Sequence, residues 1–211
     1  MTTATQAQAT QQVVISPPNF QVASFNLVGA GPYVQLRFSE KAKNAMREKM
    51  LAGSQAKKGK AREARDFEDD YQSALYLAEE GWNGVPASCF RSAAISACRI
   101  VGFKMTLAKL SLFIEADGVD HIDGTPLVCI QGTPERVEHA VRNATGVADL
   151  RIRAMWREWS INLRVRFDAD QFNVLDVANL LSRVGQQVGI GEGRPDSPKS
   201  EGMGWGLFVV Q

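Results

Sequence analysis

The chain has almost no net charge and no long apolar run. Lysine and arginine total 24, aspartate and glutamate total 23, and the formal net charge is +1. This balance argues neither for nor against a polyanionic partner such as nucleic acid. The apolar runs are far shorter than the ~20 residues that a membrane-spanning helix needs. Residues 1–12 are polar and lack the apolar segment of a secretory signal. We therefore expect no membrane partner and no export.

Cysteine and histidine are also scarce. The three cysteines are Cys89, Cys98 and Cys129. They form no C-x-x-C pair and are odd in number, which predicts buried, reduced thiols in a cytoplasmic protein. The two histidines, His121 and His139, each lack a second ligand three or four residues away. The sequence therefore predicts no metal site at either histidine.

Motifs that carry known chemistry are missing. There is no G-x-x-x-x-G-K-[ST] loop, no G-x-S-x-G elbow and no H-E-x-x-H pair. Asp117, Asp120 and Asp123 lack the spacing and the closing glutamate of an EF-hand, so they predict a turn-rich loop. We predict no cofactor and no catalytic residue. An enzyme with an unrecognised site is the least favoured of the functions considered.

Glycine is concentrated near the C-terminal end, on both sides of a polar loop that contains Arg194 and Pro195. The six glycines are Gly189, Gly191, Gly193, Gly202, Gly204 and Gly206. Glycine is required where the backbone takes a positive φ or closely approaches another group. The pattern predicts a shaped backbone surface, followed by a final strand over residues 207–210.

Basic residues are concentrated between Arg37 and Arg65, a segment that contains ten lysines or arginines and only three glutamates. An acidic run over residues 66–70 follows at once. Such blocks indicate either a solvated helix with its own ion pairs or a basic arm for a polyanion. Within this region, residues 55–64 are the best candidate for a mobile arm, because they lack apolar anchors.

The apolar periodicity predicts an α+β fold. Predicted strands cover residues 20–28, 110–115, 127–130, 150–156, 160–167 and 207–210. Predicted helices cover residues 87–101 and 172–184, the second with Asn173 as N-cap and Gly185 as its stop, whereas residues 134–148 are predicted to be irregular with a helical turn. The robust part of this order, strand, helix, strand, strand, helix, strand, predicts a ferredoxin-like (split βαβ) antiparallel sheet with helices on one face and long insertions.

The predicted domain organisation is a disordered tail over residues 1–18 and one domain over residues 19–211, with an inserted basic arm around residues 52–80. In such a domain the helices bury one face of the sheet and leave the other free to meet a ligand. Trp156, Trp159 and Trp205 suit either base stacking or core packing.

The element order and the glycine-rich loop before the last strand resemble the RAMP superfamily, the RNA-binding proteins of CRISPR systems, which include repeating backbone subunits. The six glycines and Arg194 carry the resemblance. The G-A-G-P segment at residues 29–32, followed by Arg37, Lys41 and Lys43, resembles the backbone subunits more weakly. In that family the glycine loop lies beside the bound RNA. The V-G-I-G-x-x-R-P ending is also similar to that of phage and prophage proteins.

We therefore predict a non-catalytic single-stranded nucleic-acid-binding protein, with RNA favoured over DNA, that assembles side by side as a homo-oligomer or repeated subunit. Its predicted contacts are Arg37, Lys41, Lys43, Lys57, Lys58, Lys60, Arg151, Arg153, Arg164, Arg166, Gly191, Gly193, Arg194 and Gly204. Phosphate contacts would carry most of the affinity. The alternative is a phage structural or assembly protein that acts through protein–protein contacts.

Overall fold

The computed structural model describes residues 15–38, 40–52, 65–142, 146–197 and 202–211. These residues form a mixed α/β protein whose sheets are antiparallel, which confirms the broad class predicted from the sequence. The helices are α1 (Glu40–Ala52), α2 (Phe67–Ala74), α3 (Ala87–Ile100), α4 (Met105–Ser111) and α5 (Val174–Arg183). The strands are β1 (Phe20–Gly29), β2 (Tyr33–Gln35), β3 (Gly84–Pro86), β4 (Leu112–Glu115), β5 (Gly118–Val119), β6 (Pro126–Cys129), β7 (Glu135–Arg142), β8 (Ala148–Trp156), β9 (Ser160–Asp168) and β10 (Phe208–Val210).

A four-stranded sheet has the order β10-β1-β9-β4. Apolar and polar residues alternate along β9, and the apolar ones mark the buried face of the sheet. Ile161, Leu163 and Val165 are buried, whereas Asn162 and Arg164 are exposed. This is the alternation that the sequence predicts for a strand with one apolar face. Helices α3 and α5 pack against the inner face and share one hydrophobic core with it. The outer face remains uncovered among the described residues.

Helix α5 begins with a capping box, as Asn173 accepts from the backbone of Asp176 and the Asp176 carboxylate accepts from the backbone of Asn173. The predicted N-cap is therefore confirmed. The predicted stop at Gly185 is wrong, because a π-helical turn, Val184–Val188, continues the helix to Gly189. Gly185 serves packing instead: a Cβ there would lie 2.1 Å from the carbonyl oxygen of Phe208.

A second sheet has the order β2-β8-β7. Its strand β7 corrects the irregular segment with a helical turn that the sequence predicts for residues 134–148. Val137, His139 and Val141 alternate as half-buried residues, but the polar His139 and the apolar Ala140 interrupt the apolar–polar period in the sequence. The pairing of β7 with β8 over eight residue pairs supplies the hydrogen bonds that fix the strand.

A third sheet, β3-β6-β5, contains the predicted strand at residues 127–130, which therefore lies outside the four-stranded sheet. Helix α2 packs beside β8, with Ala74 buried. The second half of the predicted arm, residues 65–80, is thus part of the fold, while residues 53–64 and 1–14 lie outside the described residues.

No helix in the described part of the chain is long and apolar enough to cross a membrane.

Candidate nucleic-acid interface

A cavity of about 520 Å³ opens between helix α3, strand β2 and the glycine-rich loop. Residues 33–36 form one wall, the first three turns of α3 form the second, and residues of the 188–196 segment form the third. The third wall is the segment that the glycine pattern marks in the sequence. The fold therefore places that loop against the beginning of a helix.

The N-terminus of α3 faces this cavity through Pro86, Ser88 and Cys89. Pro86 is the N-cap and makes no side-chain capping hydrogen bond. The first N–H groups of a helix have no intrahelical acceptor, and the helix dipole places partial positive charge at that end. An uncapped N-terminus that opens into a cavity suits an anion such as a phosphate group.

Hydroxyl groups continue from this end along α3. Ser88, Ser92 and Ser96 line the cavity and recur at every fourth residue, which places them on one helix face. Ser88 and Ser92 are exposed, whereas Ser96 donates to Asp196. Our sequence analysis missed this stripe, although its four-residue spacing is visible in the sequence. The alanines and apolar residues of α3 form a stronger helical pattern, which obscures the spacing of the serines.

Arg194 brings a positive charge to the same cavity. Its Nη1 donates to the carbonyl oxygen of Gly191 at 2.9 Å, which holds the side chain against the loop. In the described ranges no carboxylate lies within ion-pair distance of Arg194. Burial raises the pKa of the Cys89 thiol, and the charge of Arg194 partly opposes that rise. Arg194 and Cys89, which lies in the first turn of α3, line the same cavity.

Two carboxylates line the cavity, and each is engaged by a cation. The Glu192 carboxylate lies 3.6 Å from Nη2 of Arg153. Asp196 accepts from Nη2 of Arg99 at 2.9 Å and also from the Ser96 hydroxyl. Because these acids are paired, they offset little of the positive potential that Arg194 and the helix end create.

A second cavity, of about 340 Å³, adjoins the first and shares Leu36 and Glu192 with it. Arg65 and Arg151 line this second cavity. Arg65 is paired with Asp70 at 2.8 Å, whereas Arg151 has no ion-pair partner among the residues that the structure describes. The two cavities, with linings that extend from the N-terminus of α3 to Arg151, are together called the groove below.

The loop of the groove depends on its glycines. Gly206 has φ +70°, and a Cβ there would lie 1.8 Å from the carbonyl oxygen of Ile190. Gly191 has φ +74°, and its Cβ would lie 2.6 Å from the carbonyl oxygen of Val34. These positions confirm the shaped backbone predicted from the sequence. Gly193 packs against the Trp205 ring, while a Cβ at Gly204 would meet only Cδ1 of Leu207, at 4.0 Å.

Three predicted contact residues have other roles in the structure. Arg37 is only 5% exposed, and its guanidinium holds Asp120 and Asp123. Arg153 is 6% exposed and lies between Glu192 and the Trp205 ring. Lys43, on α1, pairs with Asp123 at 3.0 Å. Both arginines are buried and ion-paired, although Arg37 also lines the second cavity, and their role as phosphate contacts stays a prediction.

Arg164 and Arg166 lie on the outer face of the four-stranded sheet, away from the groove. Arg164 pairs with Asp117 at 3.2 Å, and Arg166 pairs with Glu115 at 2.9 Å. The Arg166 guanidinium also covers the rings of two phenylalanines, Phe20 and Phe113, at 5.0 and 4.8 Å. The structure thus places the predicted contact residues at different surfaces, and those on the outer sheet face, Arg164 and Arg166, are ion-paired. The Lys41 side chain and Lys57, Lys58 and Lys60 lie outside the described residues.

The structure shows where the three tryptophans lie, for which the sequence leaves both base stacking and core packing open. Trp156 and Trp159 are 0% and 4% exposed and belong to the hydrophobic core. The Trp205 ring lies against the His139 ring, with centroids 5.1 Å apart. Core packing is therefore confirmed for the first two, and Trp205 fixes the glycine loop onto strand β7.

No protein-family model matches the chain, and no curated protein matches it in sequence. Its function is therefore inferred from the chemistry of the groove and from the arrangement of the four-stranded sheet.

Proposed function

We propose that the chain is a non-catalytic protein that binds single-stranded nucleic acid in the groove between helix α3 and the glycine-rich loop. One observation carries the proposal: the uncapped N-terminus of α3, the exposed hydroxyls of Ser88 and Ser92, and the unpaired Arg194 line the same cavity. Helix N-terminal N–H groups, hydroxyls and arginine are the groups that contact phosphate in nucleic-acid complexes.

The extension of the groove favours a polynucleotide over an isolated phosphate ester. A second cavity carries the groove onward to Arg151, which provides a further unpaired positive charge. A repeating phosphate backbone satisfies two separated cationic positions, whereas a small anion occupies only one. A single strand follows a groove with three walls, because its backbone bends freely around the loop. Contacts of this kind give affinity with little base preference.

The sheet supports the finer part of the proposal. Along the chain, the four strands of the largest sheet and the two helices on its inner face follow the order β1, α3, β4, β9, α5, β10. If β1, β4, β9 and β10 are numbered first to fourth along the chain, their order across the sheet is fourth, first, third, second. We take this as a ferredoxin-like arrangement. With the glycine loop before the last strand, it supports the proposed relationship to the RAMP superfamily.

A second candidate function is protein assembly, favoured by apolar side chains on helix α1. Met46, Met50 and Leu51 are 50%, 79% and 83% exposed, and Met46 and Met50, four residues apart, share one face of the helix. Exposed apolar patches of this kind mark contacts with another protein. This candidate predicts a complex that is insensitive to salt, whereas phosphate binding weakens steeply as salt rises.

The test places a negative charge inside the groove. Ser92→Glu should weaken binding of a fluorescein-labelled poly(U) or poly(dT) oligonucleotide about tenfold or more, the equivalent of ~1.4 kcal/mol, measured by fluorescence anisotropy at low salt. Ser92 is exposed, so the fold should tolerate the glutamate.

Thr106→Glu is the matched control, because it adds the same charge at an exposed position of helix α4, away from the groove. Its affinity should stay close to that of the unmodified protein. Equal weakening by the two variants would show that only net charge matters. An absence of any binding at low salt would refute the proposal.

A further inference from the structure

Phe38, which follows strand β2, is an exposed aromatic side chain. It exposes 52% of its surface, more than any other phenylalanine, tyrosine or tryptophan that the structure describes. It is not among the residues that form the hydrophobic core or pack against it. Phenylalanine is usually buried, because its ring carries a large apolar surface. Core packing therefore does not account for Phe38.

Phe38 lines the second cavity of the groove. Arg151, which has no ion-pair partner in the described ranges, lines the same cavity. A single exposed apolar residue is common on protein surfaces and by itself marks no site. Phe38 differs from such residues because it shares a cavity with an unpaired guanidinium, and that cavity adjoins the one at the N-terminus of α3.

The chain is anchored directly before Phe38. The backbone N–H of Arg37 donates to the carbonyl oxygen of Ala74 at 3.1 Å, and the Arg37 guanidinium makes two hydrogen bonds with Asp120. The carbonyl oxygen of Val34 accepts from the backbone of Glu192 at 2.9 Å. Residues 34–37 are therefore fixed to three other parts of the fold. A side chain on an anchored segment loses less conformational freedom when a ligand binds.

The charges in the second cavity favour a polyanion over an apolar protein segment. Its two carboxylates are each paired, Asp70 with Arg65 at 2.8 Å and Glu192 with Arg153 at 3.6 Å. Arg151 therefore leaves the lining with positive charge. An aromatic ring beside a cation provides both contacts that one nucleotide unit offers, since the base stacks on the ring and the phosphate binds the cation.

We propose that Phe38 is a base-stacking residue, on whose ring one base of a bound single strand stacks while the neighbouring phosphate contacts Arg151. The inference rests on the proposed function and deepens it, because it assigns a base as well as a phosphate to the groove. Every base has a π face, so the stacking adds affinity with little sequence preference. The bases of a duplex are stacked on one another, so this contact selects single strands.

The experiment compares two fluorescein-labelled strands of equal length, oligo(dT) and an abasic strand with the same number of phosphates, by fluorescence anisotropy at low salt. The unmodified protein should bind oligo(dT) more tightly. Phe38→Ala should weaken oligo(dT) binding about five- to 100-fold. It should leave both the affinity for the abasic strand and the salt dependence unchanged, because no charge is lost.

Two further substitutions at Phe38 separate stacking from a general apolar contact. Phe38→Trp keeps an aromatic face and should retain the affinity for oligo(dT). Phe38→Leu keeps an apolar side chain without a ring and should lose affinity as Phe38→Ala does. Because Phe38 is exposed, the fold should tolerate all three substitutions, and circular dichroism spectra check this.

Phe67→Ala is the matched control. Phe67, in the first turn of α2, is also an exposed ring, at 39%, but it lines neither cavity of the groove. Its replacement should leave the affinity for both strands unchanged. The proposal is overturned if the unmodified protein binds both strands equally, if Phe38→Ala binds oligo(dT) as tightly as the unmodified protein, or if Phe38→Ala weakens both strands equally.

The abasic strand also distinguishes a failure of this inference from a failure of the proposed function. Salt-sensitive binding of the abasic strand, equal to that of oligo(dT), would overturn base stacking at Phe38 and still support phosphate binding in the groove. If neither strand binds at low salt, the proposed function is refuted and base stacking at Phe38 with it.

Discussion

Arg37 and Asp120 form a buried two-point ion pair that joins the end of strand β2 to the loop after β5. Nη1 and Nη2 of Arg37 donate to the two carboxylate oxygens of Asp120 at 3.1 and 2.7 Å. The side chains are 3% and 0% exposed. The same Nη2 lies 3.1 Å from Asp123, which also binds Lys43. A residue predicted from the sequence to contact phosphate is thus part of the internal structure.

Arg37→Ala should destabilise the fold by about 3–5 kcal/mol, because removing one member of a buried ion pair leaves the other charge uncompensated. Urea unfolding measures the loss. Arg37→Met combined with Asp120→Leu should cost much less, since no buried charge then remains. A variant with unchanged stability but weaker oligonucleotide binding would instead restore Arg37 as a ligand contact.

Two glycines of the loop should differ in their response to alanine. Both have a positive φ, +72° at Gly204 and +70° at Gly206. Gly204→Ala should cost about 1–2 kcal/mol, the penalty for an L-residue in left-handed backbone. Gly206→Ala should cost more, because the new Cβ also collides with the carbonyl oxygen of Ile190. Equal midpoints for the two variants in urea unfolding would contradict the packing described for the loop.

His139 should make stability depend on pH. Burial, and then the charge of Arg153, lower the pKa of His139 below its ordinary value of 6.5. Because the unfolded chain binds the proton more readily, stability is fully present above pH 6.5 and is lost as the pH falls through 6.5 toward the folded pKa. Urea unfolding between pH 8 and pH 5 measures the change.

His139→Phe is the control for this effect, because it keeps a ring against Trp205 without a titrating group. The variant should lose less stability over the same pH interval than the unmodified chain. An NMR titration of His139 that gives a pKa at or above 6.5 would contradict the prediction.

The sequence predicts the elements whose signals are local. The alternation of Ile161, Leu163 and Val165 predicts β9, and the Asn173 cap predicts the start of α5. The signals that were missed are long-range. Strand β7 depends on pairing with β8, and the role of Arg37 depends on Asp120, which is 83 residues away. The groove itself exists only because α3 and the loop meet after folding.

Long-range pairing also distinguishes the arginines that the sequence predicts as nucleic-acid contacts. Arg164 and Arg166 do share a strand face, as their spacing predicts. Their partners, Asp117 and Glu115, come from a different part of the chain and neutralise them. Arg151 and Arg194, by contrast, have no carboxylate partner among the described residues. Periodicity therefore predicts the strand face on which an arginine lies, but it does not predict whether a carboxylate pairs with that arginine after folding.

The most direct test of the central claim compares these two pairs of arginines by the salt dependence of oligonucleotide binding. Arg151→Gln with Arg194→Gln removes the two unpaired groove charges, while Arg164→Gln with Arg166→Gln removes two paired charges from the sheet face. We predict that the Arg151→Gln, Arg194→Gln variant makes the negative slope of log K against log salt shallower by about 1.4, or ~0.7 for each of two phosphates. The Arg164→Gln, Arg166→Gln variant should leave the slope unchanged. A reduced slope for the sheet variant alone, or no salt-sensitive binding by the unmodified protein, would contradict nucleic-acid binding in the groove.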